Sequence, residues 1–279
     1  MGKKNLRAPI ANWLKPCFIS LALVLTSCQS LMGPSEEEAK NETILRTKKS
    51  LVISFLNKGL PGIALKEVKT ALKKYPKDAD FKNLMGLTQL ALKNPRASFK
   101  YFKKAYAMEK RVPFALNLSS AYIEAGQNQK AISLLKRLKK HPKFSEYKHP
   151  ERVHHNMGLS NERLKNTREA IRYYRRALSS NPSFYISLIR LGQIYQKKGW
   201  NKKARNQFRT AAKACPQCFD PINGLTMTYI AQGKPRKAIR ILNKFLKNQK
   251  VTEGDKTRAE DMLKMARRFQ RSKQSKKYR

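Results

Sequence analysis

Small residues recur along this chain at fixed offsets that a single helix or strand would not need. Gly59, Gly126, Gly199 and Gly233 are each followed five residues later by an alanine: Ala64, Ala131, Ala204 and Ala238. Gly86, Gly158 and Gly192 form a second column, followed twelve residues later by Ser98, Ala170 and Ala204. A third, mostly small column reads Ala71, Ala105, Leu138, Ala177, Ala211, Phe245. Between them runs a column of large residues: Val68, Phe102, Leu135, Tyr174, Phe208 and Leu242. Pro76, Pro142, Pro182 and Pro216 fall near the ends of their units. Small residues let two helices approach closely, large ones fill the gaps between pairs, and proline ends a helix. In register, the units start near residues 45, 79, 112, 151, 185 and 219, at intervals of 34, 33, 39, 34 and 34. The pattern predicts an all-α solenoid of six helical hairpins over residues 45–252. Apolar Met262, Leu263, Met265, Ala266 and Phe269 then predict a helix capping the last hairpin within 253–279, ahead of a frayed basic tail.

These columns resemble the tetratricopeptide repeat, a 34-residue helix–turn–helix unit. A solenoid of that kind offers a concave face lined by the first helix of each pair. Its groove-facing places are positions 2, 5, 9, 12 and 13 of each repeat. Here they place Ile53, Leu56, Leu87, Leu90, Leu116, Ile123, Arg152, His155, Leu159, Ile186, Ile189, Met227 and Ile230 in the groove. Five basic residues (Arg46, Lys49, Arg152, Arg163, Lys197) and four acidic ones (Asp80, Glu124, Glu162, Asp220) also occupy these places. The groove is therefore expected to be apolar and nearly neutral, suited to a peptide or helix with apolar anchors.

The chain as a whole is far from neutral. It has 61 Lys+Arg against 18 Asp+Glu, a formal charge of +43. The second-helix halves of the repeats carry 33 basic and 4 acidic residues, so the excess lies on the back and edges. Such a surface attracts polyanions. Which polyanion depends on compartment, and the N-terminus bears on that. Residues 1–16 are basic and acid-free, and "CFISLALVLTSC" follows, an apolar run too short to span a bilayer. This reads as a signal peptide, residues 1–27. Its ending, Leu25 to Cys28, resembles the bacterial lipobox, which implies cleavage before Cys28, its acylation (palmitate among the acyl groups), and lipid anchoring. By resemblance to the sorting rule of enteric bacterial lipoproteins, Gln29 rather than Asp after the cysteine implies the outer membrane, with the repeats facing the periplasm. Residues 28–44 read as a lipidated end and flexible tether. Export disfavours nucleic acid as a partner, leaving anionic envelope polymers for the basic back face.

Cys215 and Cys218 flank Pro216 at a repeat junction. In an oxidising compartment the plain reading is a disulfide across the turn. A reduced pair, a redox couple and half a zinc site are the alternatives. A redox couple wants a βαβ setting that this helical pattern lacks, and zinc wants two more ligands, with the histidines starting two repeats away. His154 falls in a column packed between helices and His155 in a groove-facing one. Adjacent helical residues point about 100° apart, so the two are poorly placed to share a metal. No phosphate loop, nucleophile elbow or His-Glu-x-x-His pattern occurs. Neither an enzyme, a cofactor nor a metal is expected.

The interval of 39 marks an insertion before "HPERVHHNMGL". Pro150, Glu151 and Arg152, then Asn156, Gly158 and Leu159, together with the lipobox and six repeats, resemble the PilF/PilW (Tgl-like) type IV pilus lipoprotein family. That resemblance implies a pilotin: an outer-membrane lipoprotein that helps secretin subunits reach the membrane and assemble, through contacts made by the repeats. The alternative is a periplasmic repeat lipoprotein that gathers peptidoglycan enzymes at the outer membrane.

Overall fold

The computed structural model describes residues 35–275. The expected signal peptide and the Cys28 lipid site lie outside the described residues. Thirteen α-helices and one short 3₁₀ turn make up the described chain, and no strand forms among the described residues. The helices are α1 (Glu36–Asn57), α2 (Pro61–Lys74), α3 (Ala79–Ala91), α4 (Pro95–Met108), α5 (Val112–Glu124) and α6 (Asn128–Lys139). After the 3₁₀ turn Pro142–Phe144 come α7 (Pro150–Arg163), α8 (Thr167–Ser180), α9 (Tyr185–Lys197), α10 (Asn201–Ala214), α11 (Phe219–Ala231), α12 (Pro235–Leu246) and α13 (Glu253–Ser275). Helices pack mainly on those one or two places away in sequence, so odd-numbered helices form one layer and even-numbered ones the other. This is the six-hairpin solenoid with a terminal helix.

The columns explain the packing. Val68, Phe102, Leu135, Tyr174, Phe208 and Leu242 are all buried, each on the second helix of its hairpin. The rings of Phe102, Tyr174 and Phe208 need room on the first helix, and glycine provides it. A Cβ on Gly158 would lie 2.7 Å from the Tyr174 ring, and one on Gly86 would lie 2.5 Å from Phe102. Phe208 is held from two sides, since a Cβ on either Gly192 or Gly224 would strike it. The turn between helices requires a left-handed residue, supplied in four repeats by Gly59, Gly126, Gly199 and Gly233 at φ of 66 to 72°. In repeats two and four Lys93 and Lys165 take that conformation instead, at φ of 59 and 62°.

Two boundaries differ from the sequence expectation. Residues 36–44, read as tether, are helical: the Ser35 hydroxyl accepts from the Glu38 N–H while the Glu38 carboxylate accepts from the Ser35 N–H. This reciprocal cap starts α1 nine residues before the first repeat. At the other end α13 runs to Ser275, taking in residues expected to fray. The insertion is also packed rather than loose. Phe144 and Tyr147 pack against the core formed around Val112, Leu138, Val153 and Met157.

Candidate peptide groove

Positions 2, 9, 12 and 13 of the repeats lie along the open face of the odd-numbered helices. Ile53, Leu90, Arg152, Ile186 and Met227 are exposed there, and Leu56, Leu87, Leu159 and Ile230 are partly so. Four expected groove residues are not available. Leu116, Ile123, His155 and Ile189 are each under 9% exposed. Leu116, His155 and Ile189 occupy position 5, and the reason is geometric: that position points along the flank toward the next first-helix, so its side chain is used in helix–helix contact. His155 Nδ1 lies 2.9 Å from Ser187 Oγ on α9, with the Tyr174 and Phe184 rings against the imidazole. Ile123, at position 12, is fully buried, and its backbone carbonyl accepts from the Arg163 guanidinium at 2.6 Å.

The polar residues of this layer form cross-links that sequence position alone did not reveal. Asn117 donates to Asn83 at 2.8 Å, and Asn156 donates to Ser119 and Ser120 at 2.9 and 3.1 Å. Gln196 donates to Thr228 at 3.3 Å. All four groove acids are paired across adjacent odd helices: Asp80 with Lys49 and Arg111, Glu124 with Arg163, Glu162 with Arg190, and Asp220 with Arg258. Burial pushes the Asp80 carboxyl up, but Lys49 and Arg111 outweigh it and hold it below the usual carboxylate range. Arg111, Arg190 and Arg258 were missed because they lie outside the groove columns. The signal that finds them is a base about one repeat away from each acid.

One hollow in this face is deep enough to receive a side chain. A cavity of about 440 Å³ opens between α3, α4 and α5, walled by Leu87, Leu90, Phe99, Phe102, Ala121 and Ala125. Asn117 and Ser120 line it too, and Glu124 and Arg96 carry charge at its margin. The Ser98 hydroxyl at this wall is buried without a hydrogen-bond partner. An apolar pocket with a few fixed polar groups suits an apolar anchor on a peptide segment.

Apart from Arg152, the remaining marked residues are structural. Asn156 and Gly158 serve the cross-link and the close approach already described. Glu151 is buried beside His149, whose Nδ1 lies 3.2 Å from Glu151 Oε1. Arg152 stands exposed at the start of α7. His154 is half-buried, and burial, with Lys139 and Arg176 nearby, lowers its pKa to about 4. A disulfide joins Cys215 and Cys218 across the α10–α11 turn, with Cα atoms 5.4 Å apart. Among the described residues no group of three or more His, Cys, Asp or Glu is placed to hold a metal ion. No described helix is long and apolar enough to cross a membrane.

Comparison with known proteins agrees with this architecture. Sequence models of the tetratricopeptide repeat match residues 50–115, 115–143, 151–184 and 185–218. Among curated proteins none matches by sequence. Among solved structures, PilF of Pseudomonas aeruginosa is 16% identical with a TM-score of 0.60, over 77% of this chain and 96% of that one. PilW, described as a widely conserved type IV pilus biogenesis factor, is 15% identical with a TM-score of 0.64, over 77% and 97%. Yeast Tom70 is 17% identical with a TM-score of 0.60, over 75% of this chain but 44% of its own. With its hairpins, its glycine-and-ring contacts and more than half its length matched by the repeat models, the chain belongs to the tetratricopeptide-repeat family.

Proposed function

We propose that this protein is an assembly factor for the type IV pilus, a pilotin that binds the secretin subunit through its repeat groove. In this reading Cys28 is acylated and anchors the chain in the outer membrane, with the repeats facing the periplasm. The observation that carries the proposal is the α3–α5 cavity set in a charge-balanced groove, a surface suited to an apolar anchor on a partner segment. The reading is supported by the fold shared with PilF and PilW over nearly the whole of those chains. It is also supported by the lipobox-like Leu25–Cys28 stretch.

Deleting the gene should deplete secretin multimers from outer-membrane fractions and abolish pilus-dependent motility. Leu90→Asp, at an exposed wall of the cavity, should reproduce that loss while leaving the fold intact by circular dichroism. Multimers and motility unchanged in the deletion strain would reject the pilotin role. Unchanged multimers in Leu90→Asp alone would move the contact elsewhere on the repeats.

A further inference from the structure

Every turn inside a hairpin lies on one edge of the solenoid, and every turn between hairpins lies on the other. On the first edge, four of the six turns carry an exposed apolar tip: Leu60, Leu92, Leu164 and Trp200. Each has a lysine in the same turn: Lys58, Lys93, Lys165 and Lys198. The second helices also begin at this edge, and Arg96, Lys130, Arg168, Lys202 and Arg236 occupy their first turns. Glu169 is the one acid in those first turns. Basic side chains at a helix N-terminus oppose the helix dipole, so helix stability does not account for them.

The edge is most developed between repeats four and five. Arg168, Arg172 and Arg175 of α8 border an open cleft of about 430 Å³ with Lys198 and Trp200. Trp200 is 44% exposed at the tip of its turn. The Lys198 and Lys203 ammonium groups lie 5.3 and 4.8 Å from its ring centroid. Leu164 projects from the preceding turn. Arg172 is shared with Glu169 at 3.2 Å, and Arg175 donates to the Tyr195 hydroxyl at 3.0 Å. None of these residues lines the α3–α5 cavity.

We infer that this edge docks the repeat array onto an anionic lipid bilayer, with Trp200 and Leu164 at the interface and the surrounding Arg and Lys side chains on lipid phosphates. Leu164 stands out from its turn tip, and Trp200 stands at the rim of an open cleft bordered by basic side chains. A rigid protein partner would need a matching recess for each, whereas the headgroup region yields around them. Tryptophan belongs at that depth, with an apolar ring and one N–H donor, and basic side chains reach the phosphates while their stems stay apolar. The charge requirement is met by anionic lipid, since the chain itself carries +43.

The mature chain of the proposed reading, started at residue 29, lacks Trp13, Cys28 and the apolar N-terminal run, so Trp200 is its only tryptophan. It is titrated with vesicles of phosphatidylcholine alone and of phosphatidylcholine with phosphatidylglycerol. Trp200 emission should shift to the blue with the anionic vesicles only, and added salt should reverse the shift. Arg168→Gln with Lys198→Gln should weaken co-sedimentation, by about fivefold for each charge removed. Replacing Trp200 and Leu164 by Ala should weaken it about tenfold. An unmoved Trp200 emission in a chain that still sediments overturns the inference, as does parental binding by both variants. If polyglutamate or duplex DNA moves the emission and anionic vesicles do not, the edge serves an acidic protein or nucleic acid, and the bilayer is ruled out.

Discussion

Against Ser187, Tyr174 and Phe184, the His155 imidazole is neutral at pH 7, because burial, reinforced by the Arg190 charge, lowers its pKa to about 4. In the unfolded chain a histidine titrates near 6.5. The folded value is the lower one, so the stabilisation is complete above about pH 6.5 and is lost as the pH falls toward 4. At about pH 4.5 the loss from this residue amounts to about 2–3 kcal/mol. Urea unfolding at about pH 7.5 and 4.5 should show it, and His155→Gln should have a flatter pH dependence on a lower starting stability. Equal acid sensitivity in both proteins would remove His155 as the cause. His154 shifts in the same direction but is half-exposed, so it adds less. The fate of these two residues shows where sequence reading stops. Column position put His155 in the groove, and nothing in its own helix reveals that Ser187, 32 residues on, leaves room for it to turn inward.

At the scale of the element, what was legible is what repeats. The glycine, alanine and large-residue columns predicted the hairpins because each column answers to one contact made in every unit. The exceptions are features that occur once. The α1 overhang depends on the single Ser35–Glu38 cap, and the packing of Phe144 and Tyr147 depends on one insertion. The paired groove charges bridge different repeats, so no single unit displays them. Helix α13 is legible in kind but not in length. Its Ala259, Leu263 and Ala266 cover Leu242, Phe245 and Val251 at the end of the array. A chain ending after residue 252 should lose that cover, at about 1.5–3 kcal/mol for each large side chain exposed. Contacts run mainly between neighbours, so the damage should stay local. Hydrogen exchange should quicken in α11 and α12 and stay unchanged in α3 to α6. Uniform acceleration along the chain would contradict the neighbour-only picture.

Over the whole molecule, charge is unevenly spread: the groove acids are all paired, while the second helices carry most of the excess of +43. Self-repulsion of that size opposes the compact state, and salt screens it over about 8–10 Å. The groove ion pairs are screened as well, but those exposed to solvent are worth only about 0–1 kcal/mol each. Repulsion should therefore dominate, and the melting temperature should rise from low to physiological salt. A fall, followed by circular dichroism, would mean that the ion pairs matter more than the net charge. A load applied at the N-terminal side would be taken up unevenly too. The first nine residues of α1 are exposed on every side, so their backbone hydrogen bonds have no packing to protect them. Pulled from the N-terminal side, this segment gives way before any hairpin does. Going from a helix of about 13 Å to an extended strand of about 30 Å, it pays out a reserve of about 17 Å. The repeat array can then follow a moving attachment point without its interfaces being stressed.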